Sequence, residues 1–576
     1  MPAVPDEPRR PRDITEQELG FAQQQSVRWL SPGVLAGTGL KALLASIFGA
    51  YADKRELQAV LPSAVHDHGQ GEEIWFDYVA DVGDGFDATY SIASLLAAPQ
   101  LDVDGTQLPR GEVLVFGGDE VYPVGSARGY EDRTKGPYRA ALPVAHPQPS
   151  LYALPGNHDW YDGLTAFLRL YTQGRPFGGW RTEQKRSYFA IQLPNRWWLY
   201  AVDAQLSSYI DAPQLEYFRE AGKELRPGDG VILCWPTPAW VATGREPEAY
   251  DPIEFFVGEI FTPRGAQVRL MLSGDAHHYA RYAEDGTTAQ RITCGSGGAY
   301  LTATHKLPDT LEVPSPRSRM QRRADPRPYT LETAYPDKKT SAGLAAGIMR
   351  LGFRNPGFWG LMGLVQSLFV VALVFALDYG RRIGGSLIAL ETLRAAFPSL
   401  LLGTVYLYSA YLFARLDRGS PRKVGAVAGL LHGAAQLALG VGWVEAIFAL
   451  HRLRPSWLPD AVLALVILAV TFVVVGFLST LLTGLYLLIG STLEVNLNEV
   501  MAGQSIEDYK GFLRLHLGSD GTLTVYPIKL PHVCRRWRAN PDGAPSDPWL
   551  VPAGAPLAPH LIEPPIRIPR EEAASP

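Results

Sequence analysis

Between Pro356 and Ser491 the chain changes character. Four apolar segments, roughly 357–377, 397–414, 425–449 and 461–490, hold almost no charge, and none falls between Ala461 and Ser491. A helix needs about 20 apolar residues to cross a bilayer core, and backbone in hydrocarbon must satisfy its own polar groups. Four membrane-spanning helices are therefore predicted over 356–491, with the lipid bilayer as a partner. Up to about residue 350, apolar runs are short and broken by charges. A chain of 576 residues is also too long for one core. The expected division is a disordered tail over 1–25, a helical lead-in over 26–70, and an α/β domain over 71–305. A linker rich in Pro, Arg and Lys over 306–355 leads to the spans. Behind them come a small cytoplasmic β segment over 492–538 and a proline-rich tail over 539–576.

The net charge of −5 gives no footprint for nucleic acid, so no such binding is expected. Three cysteines, Cys234, Cys294 and Cys534, are too few and too scattered for a disulfide framework, which fits a reducing compartment. Met1 to Thr15 is charged and proline-rich, with no apolar stretch like a signal peptide. Four spans return the chain to its starting side, so a multi-pass protein with a cytoplasmic soluble domain is expected. Arg and Lys before the first span, and Arg415, Arg418, Arg422 and Lys423 between the second and third, agree with that side. Arg381, Arg382, Arg452 and Arg454 stand on the other. Residues 26–58 follow a helix-like apolar pattern too polar to span; they pack on the core or lie on a membrane surface.

From 73 to 300 the apolar runs are strand-length: Ile74–Ala80, Val113–Phe116, Leu151–Leu154, Trp197–Val202, Val231–Cys234, Val268–Leu272 and Ile292–Cys294. They lack strict alternation, as strands buried on both faces do. Several are followed by residues able to bind a metal: Asp81, Asp119, Asn157 with His158, and Asp275 with His277. In open α/β sheets, sites form beyond the carboxyl ends of strands. Any one such Asp or Asn alone reads as a turn former; the ordered series reads as a site. Its oxygen and imidazole donors suit Zn, Mn or Fe, and two such cations could clamp a phosphoryl group and activate water. His158, if oriented by Asp159, would serve as the acid for a leaving group.

Gly118-Asp119, Gly156-Asn157-His158-Asp159 and Gly274-Asp275-Ala276-His277 resemble the second, third and fifth motifs of calcineurin-like metallophosphoesterases. Asp81-Val82-Gly83-Asp84 is similar to the first. The resemblance covers about 200 residues in the family's order. It implies a four-layer α/β/β/α sandwich that hydrolyses a phosphate monoester or diester with metal-bound hydroxide at a dinuclear centre. It also implies roles. Asp81 and His277 would hold the first metal, Asp119 would bridge, Asn157 would hold the second, and His158 would stand over the phosphate.

Four departures bear on that set. Gly83 stands where many members have His. Tyr122, three residues after the bridging Asp, matches a position that ligates iron in purple acid phosphatases; it reads equally as a ligand or an ordinary buried tyrosine. Cys234-Trp235-Pro236 stands where a His-x-Pro is usual, and Asp275 replaces the first His of the fifth motif. Cys234 is thus a candidate metal ligand or a structural cysteine. His278 and His305 read as packing or supporting residues, Asp84 and Asp87 as braces of the first loop. Trp160, Tyr161 and Asp162 read as a pocket wall or as packing. Two other functions compete with phosphoester hydrolysis: a membrane-anchored binding or signalling protein with a degenerate metal site, and a transporter. Only His432 and Glu445 offer ionisable groups within a span for the last.

Overall fold

The computed structural model describes residues 10–48, 58, 60–61, 64–204, 210–319, 324–382, 390–415, 422–452 and 459–570. Arg418 and Arg454, named above for their charge, lie outside them. The chain divides into two compact units: Met1–Val27, Gly37–Lys338 and Ile506–Pro576 form one, and Arg28–Ala36 with Lys339–Ser505 the other.

The first unit holds two large sheets. Its main strands are β1 (Ile74–Val79), β2 (Val113–Phe116), β3 (Ser150–Ala153), β4 (Phe189–Leu193), β5 (Trp197–Ala201), β6 (Gly230–Cys234) and β7 (Gln267–Ser273). They continue with β8 (Tyr279–Glu284), β9 (Gln290–Cys294), β10 (Thr310–Val313), β11 (Arg327–Tyr335), β12 (Lys510–Leu517) and β13 (Leu523–Leu530). The first sheet runs β13-β12-β1-β2-β3, with short strands at both edges, and β1, β2 and β3 are parallel. The second runs β4-β5-β6-β7-β9-β8-β11-β10, and β5, β6, β7 and β9 are parallel.

The sheets face each other across an apolar core. Phe76 and Tyr78 of β1, Val113 and Val115 of β2, Ile232 of β6, Leu272 of β7, and Leu513 and Leu515 of β12 all meet there. The far face of the first sheet packs under the helix Phe86–Ala97, and that of the second under Ala212–Ala221 and Asp251–Ile260. The result is the expected four-layer α/β/β/α sandwich. All seven strands read from apolar runs are present, because a strand buried on both faces must be apolar throughout.

The chain closes this unit with segments expected elsewhere. The β segment expected over 492–538 forms a hairpin, β12 and β13, but inside the first sheet, with β12 antiparallel to β1. Arg514 on β12 is fully buried and forms a two-pronged ion pair with Asp77 of β1, Nε to Oδ1 at 2.8 Å and Nη2 to Oδ2 at 3.0 Å. Such a pair is costly to break once one partner is removed. β10 and β11 lie in the stretch read as a linker, whose Pro and Arg content masked its strands. The proline-rich tail contributes short strands Leu550–Pro552, His560–Leu561 and Ile566–Ile568, and Glu563 pairs with Arg281 at 2.6 Å. At the other end, Phe21 is fully buried, and the backbone of Val27 donates to Asp84 Oδ1 at 2.7 Å.

Among the described residues, the second unit carries four helices long and apolar enough to cross a membrane: Pro356–Asp378, Arg394–Arg415, Lys423–Arg452 and Asp460–Thr492. Leu364, Leu368, Val371 and Phe375 form an exposed stripe at helical spacing on the first. Inside the unit, Gln366 Nε2 donates to the Gln436 carbonyl at 3.1 Å. Gln436 Nε2 donates to the Ser479 carbonyl at 3.0 Å, and Ser479 Oγ donates to Gln436 Oε1 at 2.7 Å. Interhelical amide bonds of this kind hold helices together where lipid offers no hydrophobic drive. Sequence reading of the spans looked for ionisable groups and passed over these amides.

Candidate metal centre

Each parallel strand of the first sheet delivers its polar residues just past its carboxyl end. Asp81 follows β1, Asp119 follows β2, and Asn157 and His158 follow β3 at the start of the short helix Asn157–Trp160. From the second sheet, β7 delivers Asp275 and His277. Asp81, Asp119 and Asp275 all have positive φ, 59°, 53° and 67°. Non-glycine residues rarely adopt that conformation, and such strain gathers at functional sites.

One half of the site is closed around Tyr122. Its Oη lies 2.8 Å from Asp81 Oδ1, 3.3 Å from Asp119 Oδ2 and 3.1 Å from His277 Nε2, and His277 Nε2 lies 3.4 Å from Asp81 Oδ1. His277 Nδ1 bonds to the Tyr300 carbonyl at 2.8 Å. A carbonyl only accepts, so Nδ1 carries the proton and Nε2 turns its lone pair inward, the tautomer a metal needs. Ligands bonded to one cation at about 2.0–2.2 Å stand about 3 Å apart. The spacing of these four atoms fits that geometry. Among the described residues, no three His, Cys, Asp or Glu side chains form a metal cage by themselves; a phenol joins these.

The electrostatics agree. Burial, and then the Asp275 charge, pushes the Asp81 carboxyl well above its ordinary range. Burial followed by the charges of Asp81 and Asp159 does the same to Asp119. Burial also drives the Tyr122 phenol up and the His277 imidazole well down. Each shift favours the uncharged form, and a cation among them would reverse the carboxyl and phenol shifts.

The other half is sparse. Asn157 Nδ2 donates to Tyr161 Oη at 2.8 Å, while Asn157 Oδ1 is buried without a hydrogen-bond partner. A buried amide oxygen left so is costly unless a cation or water meets it. The other two candidates for the second metal differ in their surroundings. Asp275 donates its backbone N–H to Asp81 Oδ2 at 2.9 Å, but its side chain is exposed. Cys234 is fully buried in the apolar core between the sheets, and burial pushes its thiol well up. The metal role expected of Cys234 is thus corrected: a strand that points one residue into the core points the next out, and β6 points this one in.

Two further expectations need revision. His158 Nδ1 bonds to the Pro123 carbonyl at 2.7 Å, and its backbone N–H donates to Asp119 Oδ1 at 2.9 Å. Asp159 braces the loop instead of orienting His158. Its Oδ2 accepts from the backbone of Gly156 at 2.9 Å and of Glu120 at 3.3 Å, and its Oδ1 takes the Tyr130 hydroxyl. Gly156 is required by close approach, since a Cβ there would lie 2.1 Å from Asp119 Oδ1. Gly83 cannot be the family's histidine: φ is +75° and a Cβ would meet the Glu120 carbonyl oxygen at 2.3 Å.

The remaining candidates brace or line the site. His278 is buried, bonding Thr302 Oγ1 at 2.9 Å. Asp84 holds the backbone of Val27 and Tyr300, and Asp87 Oδ1 accepts from Trp537 Nε1 at 3.0 Å. Trp160 Nε1 donates to Asp203 Oδ1 at 3.0 Å, and the Tyr161 ring packs edge-on against His158. The buried Glu120 beside Asp159 and the buried Lys510 were missed, because neither stands in a recognisable motif.

No protein-family model matches the chain, and no curated protein does. Solved structures similar at a low level include these three. GAP50, the anchor in the inner membrane complex of Plasmodium, is 14% identical over 40% of this chain and 74% of its own, with a TM-score of 0.30. PhoD is 12% identical over 42% and 59%, with a TM-score of 0.27. The purple acid phosphatase PPD1 from yellow lupin (Lupinus luteus) seeds is 14% identical over 41% and 46%, with a TM-score of 0.25. The chain thus spans less than two thirds of the latter two. At these scores the likenesses add nothing to what strand order and site geometry carry.

Proposed function

We propose that this protein is a membrane-anchored, metal-dependent hydrolase of phosphate monoesters or diesters. The observation that carries the reading is the donor set Asp81, Asp119, Tyr122 and His277, spaced as ligands of one cation. Asp119 and Asn157, whose Oδ1 is unpartnered, would hold a second cation more weakly. Bound metal supplies Lewis acidity toward a phosphoryl oxygen and toward water. Tyr122 favours Fe at the first position; Mn or Zn suit the remaining oxygen and imidazole donors.

His158 donates its Nδ1 proton to the Pro123 carbonyl, so the lone pair of the ring sits on Nε2. Burial holds its pKa down to about 4, so it is neutral in the metal-free site. An anionic phosphoester beside it would raise that value and place a proton on Nε2, ready for the leaving oxygen. Assay of the full chain against a phosphoester panel with Mn, Zn and Fe tests the reading. Turnover lost on chelation is expected. Metal binding with no turnover on any ester would favour the second reading, a membrane-anchored binding or signalling protein, to which the exposed Asp275 and buried Cys234 lend support.

The membrane region is inserted within the sequence of the phosphoesterase unit. β1 precedes the spans, β12 follows them, and the two pair over five residues from Leu513↔Tyr78 to Leu517↔Ile74. The chain therefore has to return to the side it left, which supports an even number of crossings. We assign that side to the cytoplasm from the Arg and Lys before the first span and between the second and third. A reporter fused after Asn540 should be active only on the cytoplasmic face; activity on the outer face alone would refute the assignment.

A further inference from the structure

Lys510 opens β12, the strand that follows the membrane-spanning region. It is fully buried, and its Nζ has no hydrogen-bond partner. A lone ammonium in the interior is costly unless neighbouring charge compensates it. The carboxylates that act on it are, in falling order, those of Asp84, Glu507, Asp508 and Asp81. Its own charge in turn bears on His277. Two residues of the metal centre thus feel this lysine.

The backbone explains the proximity. Next to Lys510, Gly511 donates its N–H to the Ser296 carbonyl at 2.9 Å. The loop from Ser296 then runs over the end of β1. Gly297 donates to the Ala80 carbonyl at 3.0 Å, and Ala299 to the Asp81 carbonyl at 2.8 Å. Tyr300 donates to Asp84 Oδ2 at 3.2 Å and accepts from His277 Nδ1 at 2.8 Å. Lys510 therefore stands one loop behind the first half of the site, shut off from solvent and from any substrate. Burial lowers its pKa to about 8 against the pull of those acids, so the ammonium prevails at neutral pH.

We propose that Lys510 is a built-in counter-cation behind the first metal position, a positioning residue that offsets the buried Asp84 charge when metal is absent and opposes metal when it arrives. The inference rests on the metal reading above. It gives the strand behind the membrane region a role in setting metal affinity.

A neutral isostere should then have two opposite effects. Lys510→Met should lower the melting temperature of the metal-free protein, and it should tighten Mn²⁺ binding by about tenfold or more, the repulsion expected of like charges in protein surroundings. Lys510→Arg, which keeps the charge, should match wild type in both. The measurements are Mn²⁺ titration and thermal melting of the full chain in lipid nanodiscs, with and without Mn²⁺. Equal Mn²⁺ affinity in wild type and Lys510→Met would overturn the inference while leaving the metal reading intact. If wild type itself bound no Mn²⁺, Zn²⁺ or Fe³⁺, the metal reading would fail and this one with it. If Lys510→Met folded only with Mn²⁺ present, the proposal would stand; if it failed to fold even then, Lys510 would be a packing element and the proposal wrong.

Discussion

The two halves of the candidate site were built to different standards. Around Tyr122, four donors from three strand ends and one loop meet within 3.4 Å of their neighbours, each turned inward by a bond on its far side or by its backbone. Around Asn157, one orphaned amide oxygen stands with Asp119, while Asp275 faces solvent and Cys234 faces the core. The first half is closed because its residues are fixed by neighbours that cannot move: a carbonyl behind His277, a backbone N–H behind Asp81. The second half has fewer enclosed donors to rest on. A ligand type can be replaced in sequence, but its position comes from the strand that carries it.

The comparison breaks most completely at the residue both halves share. Asp119→Asn should reduce phosphoester hydrolysis by about 10³-fold or more, since cation stabilisation of the reacting phosphoryl is worth several kcal/mol. If turnover in the assay stayed within tenfold of wild type, Asp119 would not be a bridging group. His158→Ala should cost about 10²–10³-fold, the range of a general acid, yet leave metal content unchanged by elemental analysis. Loss of metal in that variant would move His158 into the ligand set.

A third test concerns Gly83, in the loop after β1. Gly83→His would add an imidazole donor there, but the positive φ and the Glu120 carbonyl oppose any side chain. Strain of this kind costs about 1–3 kcal/mol before the clash is counted. The melting temperature should fall, and the metal count should not rise. A stable variant with an added metal would show that the closed half was not closed. The smallest effects are expected in the sparse half. Asp275→Asn should leave metal stoichiometry unchanged and shift turnover a few-fold at most, about 1 kcal/mol or less for an exposed charge. Cys234→Ser should keep both metals while losing about 1–3 kcal/mol of stability for a hydroxyl placed in the apolar core. Loss of one metal in Cys234→Ser with stability retained would reverse the comparison.

The sequence determined the strand set and the spans, because both depend on local patterns. Seven uniformly apolar runs were sufficient for seven strands buried on both faces, and four long apolar segments for four helices able to cross a bilayer. It also supplied the order of Asp81, Asp119, Asn157, Asp275 and His277, since each follows a strand end. Only the tertiary structure decided which of them meet. That Tyr122 sits among Asp81, Asp119 and His277 depends on the alignment of strands 40 to 200 residues apart. Asp159 was read beside His158 by sequence adjacency, yet the turn into the short helix points it back to Gly156, Glu120 and Tyr130. The largest gap between the two readings is at the chain's end. Nothing local tells β12 to cross back past four spans and pair with β1, since strand pairing is a choice of partner and the pattern of one strand does not name it. The burial of Arg514 against Asp77, and of Lys510 behind Asp81, follows from that choice alone.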